Sequence, residues 1–225
     1  MHHLVLDEWS RRSSALHARD PRAKVVVLLA FLVAVSTASS GFLAYGCLLL
    51  AAIAVARLPV AAVLLRALAI LPFVGTFVLL TWYSGQPARA LAILEKSFLS
   101  AIAALLLVAT TPVNDLLRGL ESLRVPRPLV LVIQFLYRYL FVITEQAQHM
   151  MMAARARGSR FHSAAGAVAV LFARSWERAD GVYEAMLARG FTGRFVPLAP
   201  ARFGLADAMF LCAAAAVVIA IRVAS

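Results

Sequence analysis

The fold depends on how one apolar stretch is placed, residues 128–144, which read PLVLVIQFLYRYLFVIT. The stretch has the composition of a membrane-spanning helix, but Gln134 and Arg138 stand near its middle. A charged side chain at the bilayer centre costs at least about 2.5 kcal/mol on insertion scales. Continued as one helix, the stretch and its extension carry these residues on a single face: Gln134, Arg138, Glu145, His149 and Met152. We therefore predict an amphipathic helix that lies along the membrane interface or under a helical bundle.

The rest of the chain has the composition of an integral membrane protein. Of its 225 residues, 63% are hydrophobic and 15% are charged, and the mean hydropathy is +0.85. Soluble domains are nearer about half apolar and about a quarter charged, so a water-soluble fold would expose much of this apolar surface. The 22 lysines and arginines against 11 acidic residues give a net charge of +11. In a membrane protein this excess indicates cytoplasmic surface, or contact with anionic lipid or acidic partners, rather than nucleic acid.

Five further segments are apolar enough to cross a bilayer, which takes roughly 20 residues with about 17 as a lower limit. They are residues 23–40, 41–57, 67–84, 92–111 and 203–221. The Ser39-Ser40-Gly41 sequence predicts a tight hairpin between the first two. Pro72, within the third, is tolerable because neighbouring helices can repair the lost backbone hydrogen bond. Glu95 and Asp207 lie near span ends, where placement at the interface competes with a role in proton or ion passage.

The distribution of charge predicts the topology. Basic residues between Arg11 and Lys24 place the N-terminus in the cytoplasm, and four crossings return the chain there at residue 112. A sixth crossing through residues 128–144 would put the later basic stretch on the wrong side, so parity excludes it. We expect an all-α membrane protein with about five transmembrane helices and its C-terminus outside. Its parts are a cytoplasmic N-terminal segment (1–22), a four-helix membrane bundle (23–111), a cytoplasmic helical module (112–202) and a final span (203–225).

The module is predicted to contain three helices. The first lies within TPVNDLLRGLESLRVP, residues 111–126, and the second is the long amphipathic helix, which ends near Gly158. The third runs from about Ser163 to Gly190, and the Gly- and Pro-rich segment after it returns the chain to the membrane.

The tripeptide Ala-Arg-Gly occurs twice, 32 residues apart, each time at a predicted helix end. In each copy the glycine can take the left-handed conformation that ends a helix, and the arginine is favoured there by the helix dipole. The alanine keeps the helix tip slim, so that the guanidinium can enter a groove and pair with a carboxylate through two hydrogen bonds. The alternative is a basic helix end without a function, which two copies in equivalent positions disfavour. The candidate docking residues are Ala156, Arg157, Gly158, Ala188, Arg189 and Gly190.

Three segments together resemble the transmembrane T component of energy-coupling factor (ECF) transporters. They are the doubled Ala-Arg-Gly, the opening SSALHARDPRAKVVVLLAFLVAVST (13–37) and the segment 111–126. The resemblance extends from Ser13 to the final helix and is greatest to the cobalt type, CbiQ. The nickel type is hard to separate from it, and a T component for biotin or another vitamin is the next alternative.

The resemblance implies a scaffold in the inner membrane of a bacterium or archaeon. Its coupling helices dock onto two ATP-binding cassette (ABC) ATPases, and Arg157 and Arg189 pair with acidic groove residues there. ATP and Mg²⁺ bind to those partners, so that this chain needs no cofactor and is not an enzyme. A separate S component captures the metal ion or vitamin.

Two other classes of protein were weighed. An intramembrane enzyme would need a nucleophile with its base or a metal constellation, and the sequence has no HExxH, GxSxG or GxxxxGK[ST] motif. A self-contained channel or secondary carrier would show internal repeats and polar midplane residues, which are lacking.

A few residues suggest other chemistry. The terminal Met1-His2-His3 can bind Ni(II) or Cu(II) in square-planar fashion, although mobile terminal histidines are usually solvated. His149 and His162 have no Cys or carboxylate at ligand spacing, which favours a structural role. Cys47 and Cys212 lie in apolar runs and are expected to be packing residues rather than a disulfide or metal pair.

Overall fold

The protein is built from helices throughout the residues that the structure, a computed structural model, describes: 9, 14–38, 40–158, 164–193 and 203–224. The helices are α1 (Pro21–Thr37), α2 (Phe42–Val55), α3 (Val60–Ala67), α4 (Leu71–Tyr83), α5 (Pro87–Thr110), α6 (Val113–Ser122), α7 (Arg127–Ala156), α8 (Ala164–Ala188) and α9 (Leu205–Ala224). A 3₁₀ turn, Leu68–Ile70, joins α3 to α4. The predicted all-α architecture is confirmed.

Several of these helices have the length and composition of membrane spans. Within the described ranges four qualify: the continuous segment Val60–Tyr83, Pro87–Thr110, Arg127–Ala156 and Leu205–Val223. Phe42–Val55 is a shorter apolar helix, and α1 has 17 residues. These helices confirm a multi-pass membrane protein. The long helix α7 is continuous, as predicted, and its placement on the cytoplasmic side stays a prediction.

The third predicted span begins earlier than expected, at Val60 instead of near residue 67. Its break is the 3₁₀ turn, after which Pro72 lies in the first turn of α4, where a backbone N–H has no intrahelical partner to lose. Because a new helix starts here, no backbone hydrogen bond is lost at Pro72. The sequence alone predicts instead that neighbouring helices replace a lost bond. At the end of α3, the Arg66 guanidinium lies 4.1 Å from the centre of the Trp9 ring, a cation–π contact that stabilises a charge beside the apolar core.

The described residues form two compact units, the first of which combines Met1–Arg124 with Ala201–Ser225. Within it α1 packs against α5, α6 and α9, while α5 also contacts α2, α3 and α4. The side chains of Val35, Tyr45 and Ile53 are fully buried in its core. The rings of Phe31 and Tyr45 meet edge to face there, with centroids 5.8 Å apart. The two most central helices of this unit are therefore α1 and α5.

Helix α6 is the first helix of the cytoplasmic module predicted from the sequence, whose limits stay a prediction. It packs against α1 and belongs to the first unit, with Leu117 buried at its contact face. Hydropathy falls at residue 112, but α6 is strongly amphipathic and buries its apolar side on the bundle.

The second unit, Val125–Pro200, contains α7 and α8, which pack against each other. They enclose a mostly apolar cavity of about 450 Å³ between residues 132–146 of α7 and residues 175–186 of α8. On α7 the rings of Phe135 and Tyr139 stack with centroids 6.2 Å apart. On α8, Trp176 and Tyr183 are 65% and 59% exposed. The unit therefore keeps large aromatic side chains available on its surface.

Candidate functional site

The first Ala-Arg-Gly copy forms the C-terminal end of α7, as predicted. Ala156 is the last helical residue, and Arg157 follows in the capping position with φ −87°. The Arg157 N–H donates to the main-chain oxygens of Ala153 and Ala154, both 3.2 Å away, and the Gly158 N–H donates to that of Arg155 at 3.0 Å. Gly158 has φ +69°, a left-handed conformation that strains other residues. The glycine thus ends the helix directly after the arginine.

The second copy ends α8 in the same way. Ala188 is the last helical residue and Gly190 has φ +74°. The Gly190 N–H donates to the oxygen of Leu187, and the Phe191 N–H donates to that of Met186, each at 2.9 Å. This pair of bonds is the Schellman arrangement of a glycine-terminated helix. The two Ala-Arg-Gly copies, 32 residues apart, therefore both end a helix with a glycine in the left-handed conformation.

Both tips are open to the surroundings. All six residues of the two copies are exposed. A Cβ atom added to Gly158 or Gly190 would meet nothing within 4 Å. In the part of the chain that the structure describes, neither the Arg157 nor the Arg189 guanidinium makes a hydrogen bond or ion pair. Each side chain therefore keeps its donors available for an external acceptor.

The two tips follow the residues that line the apolar pocket between α7 and α8. Arg157 comes after the lining residues 132–146 of α7, and Arg189 comes after the lining residues 175–186 of α8. Each guanidinium is a planar fork of donors that matches a carboxylate in a bidentate pair. The unit can therefore offer two separate cationic tips from one packed helix pair.

The other sequence candidates lie elsewhere. Glu95 is exposed, about two turns inside α5 rather than at its start, because α5 begins at Pro87. Asp207 is 8% exposed, and its carboxylate accepts hydrogen bonds from two backbone N–H groups. His149 is exposed on α7, whereas His162 and Met1-His2-His3 fall outside the described residues.

The cysteines and the metal ligands give no second site. Cys47 and Cys212 are free, as expected for cysteines that form no disulfide, and both are exposed. Both lie on apolar helices whose outer faces are not covered by the first unit. Among the described residues, no three His, Cys, Asp or Glu side chains cluster as metal ligands would.

One group of residues had no function assigned from the sequence. The segment HARDPRAK, residues 17–24, entered the sequence analysis only through the family resemblance and the positive charge of the cytoplasmic side. In the structure Lys24 and Asp20 are buried and bonded to residues far along the chain. A charged cluster directly before an apolar helix was the available signal, and we interpreted it only as a marker of the cytoplasmic side.

Comparison with known proteins assigns the chain to a family. The model of the CbiQ family, described as a cobalt transport protein, matches residues 12–198. The cobalt transport protein CbiQ of Rhodobacter capsulatus is 32% identical over 142 residues, which cover 60% of this chain and 58% of that protein. An uncharacterised protein of Methanocaldococcus jannaschii is 31% identical over 96 residues, covering 40% of this chain and 36% of that protein.

A further relative is named as the transmembrane protein of an energy-coupling factor transporter. The energy-coupling factor transporter transmembrane protein EcfT of Bacillus selenitireducens is 27% identical over 228 residues, and the match covers 84% of each chain. The chain thus spans less than two thirds of the first two relatives and most of the third. Because the family model covers most of its residues, this protein belongs to the CbiQ family of cobalt transport proteins and is an ECF T component of that type.

Proposed function

We propose that this chain is the membrane scaffold that couples two ABC ATPases to the uptake of Co²⁺ by a separate S component. The observation that carries the proposal is the pair of equivalent helix ends, each with an exposed arginine before a left-handed glycine. A single end of this kind is a common way to finish a helix. Two identical ends on packed helices suit a partner that presents two equivalent grooves.

The partner that fits is a dimer of ATPases with an acidic residue in each groove. Arg157 would enter one groove and Arg189 the other, each forming a bidentate pair with a carboxylate. ATP and Mg²⁺ would be bound by the ATPases, while this chain contributes the docking residues and the membrane helices.

Coupling would follow from the rigidity of the helix pair. When ATP closes the ATPase dimer, its two grooves move relative to each other. Helices α7 and α8 pack against each other, so a displacement of their ends would change the angle at which they cross. The first unit would pass this movement to the S component.

The substrate is proposed as Co²⁺ because the family and the Rhodobacter capsulatus relative carry that description. The ion would be captured by the S component. Substrate choice would therefore change with that partner and not with this chain.

The proposal is tested by co-expression with the products of neighbouring genes. We expect the tagged chain to bring two ATPase subunits and a small membrane protein through detergent purification. Proteoliposomes in which the ATPases of the complex face the interior should accumulate ⁵⁷Co²⁺ only when ATP is enclosed inside them. Uptake of ⁶³Ni²⁺ is measured in the same way to test the alternative substrate. A chain that purifies alone and transports the ion unaided would be a secondary carrier, and the proposal would be wrong.

A further inference from the structure

Lys24 is a buried cation that joins three parts of the first unit. It lies in the first turn of α1 and is 6% exposed. Its Nζ donates to the main-chain oxygen of Thr110 at 3.0 Å, to Oγ1 of Thr111 at 3.2 Å and to the main-chain oxygen of His17 at 3.3 Å. An ammonium group has three donors, so each of them is used. The side chain thereby fixes the end of α5 against the start of α1.

Asp20 and Asp207 make a second connection at the same place. The Asp20 side chain accepts from the Arg22 N–H at 2.9 Å and caps α1. Its own backbone N–H donates to Oδ1 of Asp207 at 3.0 Å, and Oδ2 of Asp207 accepts from the Gly204 N–H at 3.0 Å. One carboxylate thus holds the start of α9 and the start of α1 together.

Helix α6 makes the third connection, through the closest packing at this end of α1. A Cβ atom on Gly119 would lie 3.1 Å from Cβ of Pro21 and 3.4 Å from the Arg22 nitrogen. Any larger residue here would push α6 away from the first turn of α1 by a few tenths of an ångström. Leu117 and Gly119 are both buried in α6.

These contacts converge on the two places where the chain leaves and re-enters the first unit. The chain leaves the first unit at Arg124, just after α6, which itself follows Thr110 and Thr111, and the described residues resume just before Gly204. Residues 17–24, which we call the N-terminal anchor, bond or pack against both connections.

We infer that the N-terminal anchor transmits movement of α7 and α8 to the membrane helices α1, α5 and α9. Its positioning residues are Lys24, within the anchor, and Asp207, which accepts a hydrogen bond from it. This inference rests on the proposed function, because it needs ATP-driven movement of the second unit. A pull on either connection reaches α1 through hydrogen bonds to a buried charge, which are stronger than those between neutral groups. Helix α1 then moves together with α5 and α9.

The first experiment measures the anchor itself, on the full-length protein and without any partner. Lys24→Met keeps the length of the side chain but removes all three bonds, and Asp207→Asn keeps one of two acceptors as a milder second variant. We expect backbone amides of α6 and of the start of α9 to exchange with deuterium about tenfold faster in Lys24→Met. The matched control is Lys96→Met, which removes a lysine-to-carbonyl bond at the other end of α1. Unchanged exchange in α6 and α9 of both variants would overturn the anchor.

The second experiment measures transmission in the reconstituted complex, as ⁵⁷Co²⁺ taken up per ATP hydrolysed. We expect the Lys24→Met and Asp207→Asn complexes to retain their ATPases and to hydrolyse ATP, with the ratio reduced about tenfold and about threefold, respectively. The Lys96→Met complex should keep the wild-type ratio. If the variants exchange deuterium faster but still take up as much ⁵⁷Co²⁺ per ATP as the wild type, the anchor does not transmit the movement. If the wild-type chain binds no ATPase, the proposed function and transmission both fail, and the exchange experiment still decides the anchor.

Discussion

Lys96 of α5 donates a hydrogen bond to the main-chain oxygen of Ser36, 2.8 Å away, at the C-terminal end of α1. Beside it, Nη2 of Arg222 in α9 donates to the oxygen of Thr37 at 2.9 Å. Helix C-termini leave carbonyl groups without intrahelical partners and carry a partial negative charge, so cations suit this place. Helix α1 is therefore bonded to α5 and α9 at this end, and again at the opposite end through the N-terminal anchor.

We predict that Lys96→Met and Arg222→Met each lower the stability of the protein by about 1 kcal/mol, because each leaves a carbonyl of α1 unpaired. The measurement is thermal unfolding in detergent, followed by circular dichroism. Arg89→Met is the control, since Arg89 bonds only to Gln86, three residues earlier in the chain. An equal loss in the control would contradict the importance of the helix end.

We predict that Arg157→Ala and Arg189→Ala each weaken ATPase binding on the order of 3 to 5 kcal/mol, the usual cost of removing one partner from a buried ion pair. The double variant should bind still more weakly. The measurement is the amount of ATPase that co-purifies, followed by titration of the purified components.

Two arginines outside the motif serve as controls for this series. Arg155 lies in the last turn of α7 and Arg178 is exposed on α8, so their replacement by alanine removes the same charge close by. Both controls should bind ATPase nearly as well as the wild type. Normal co-purification with the Arg157/Arg189 double variant would rule out docking by these tips.

We predict opposite effects for Gly181, within α8, and Gly190, just after its end, although a Cβ atom would meet nothing within 4 Å at either position. Gly190→Ala should destabilise the helix end by about 1 to 2 kcal/mol, because alanine is strained at φ +74°. Gly181→Ala should stabilise the helix by up to about 1 kcal/mol, because alanine is the better helix former. Helix content and melting temperature measure both, and Gly190→Asn should fall between alanine and the wild type. Shifts of the same sign for Gly190→Ala and Gly181→Ala would disprove a conformational requirement.

We predict that Gly119→Val destabilises the first unit by about 1 to 3 kcal/mol, because a branched side chain cannot fit against Pro21 without moving α6. Gly75→Val is the control, since a Cβ at Gly75 meets nothing within 4 Å. Denaturant unfolding monitored by tryptophan fluorescence compares the two. Similar midpoints for both variants would show that the close approach of α6 is dispensable.

Local signals in the sequence predicted the helix ends well. Gly158 and Gly190 end α7 and α8 where expected, because the left-handed conformation is a property of glycine and its immediate neighbours. The continuous helix through Gln134 and Arg138 also followed from the helical period of its polar face. The docking role of the two arginines stays a prediction, as do the side of the membrane and the domain limits of 112–202.

Contacts between distant residues could not be predicted in this way. Lys24 meets Thr110 across 86 positions and Asp20 meets Asp207 across 187, and such pairs leave no periodic pattern in a single sequence. The third span starts at Val60 rather than near residue 67, so that it contains Arg66. The ring of Trp9 covers this charge, and only the folded arrangement brings the two together.

The shortness of α1 has a consequence for the surrounding lipid. Its 17 residues are about 26 Å long, a few ångströms less than a typical hydrocarbon core of about 30 Å. Both ends of α1 are hydrogen-bonded to neighbouring helices, so the helix cannot slide along them. Tilting would only reduce the membrane thickness that it covers. As the membrane span that the sequence predicts, α1 would require the acyl chains beside it to compress, so we expect the protein to be more stable in thin membranes than in thick ones.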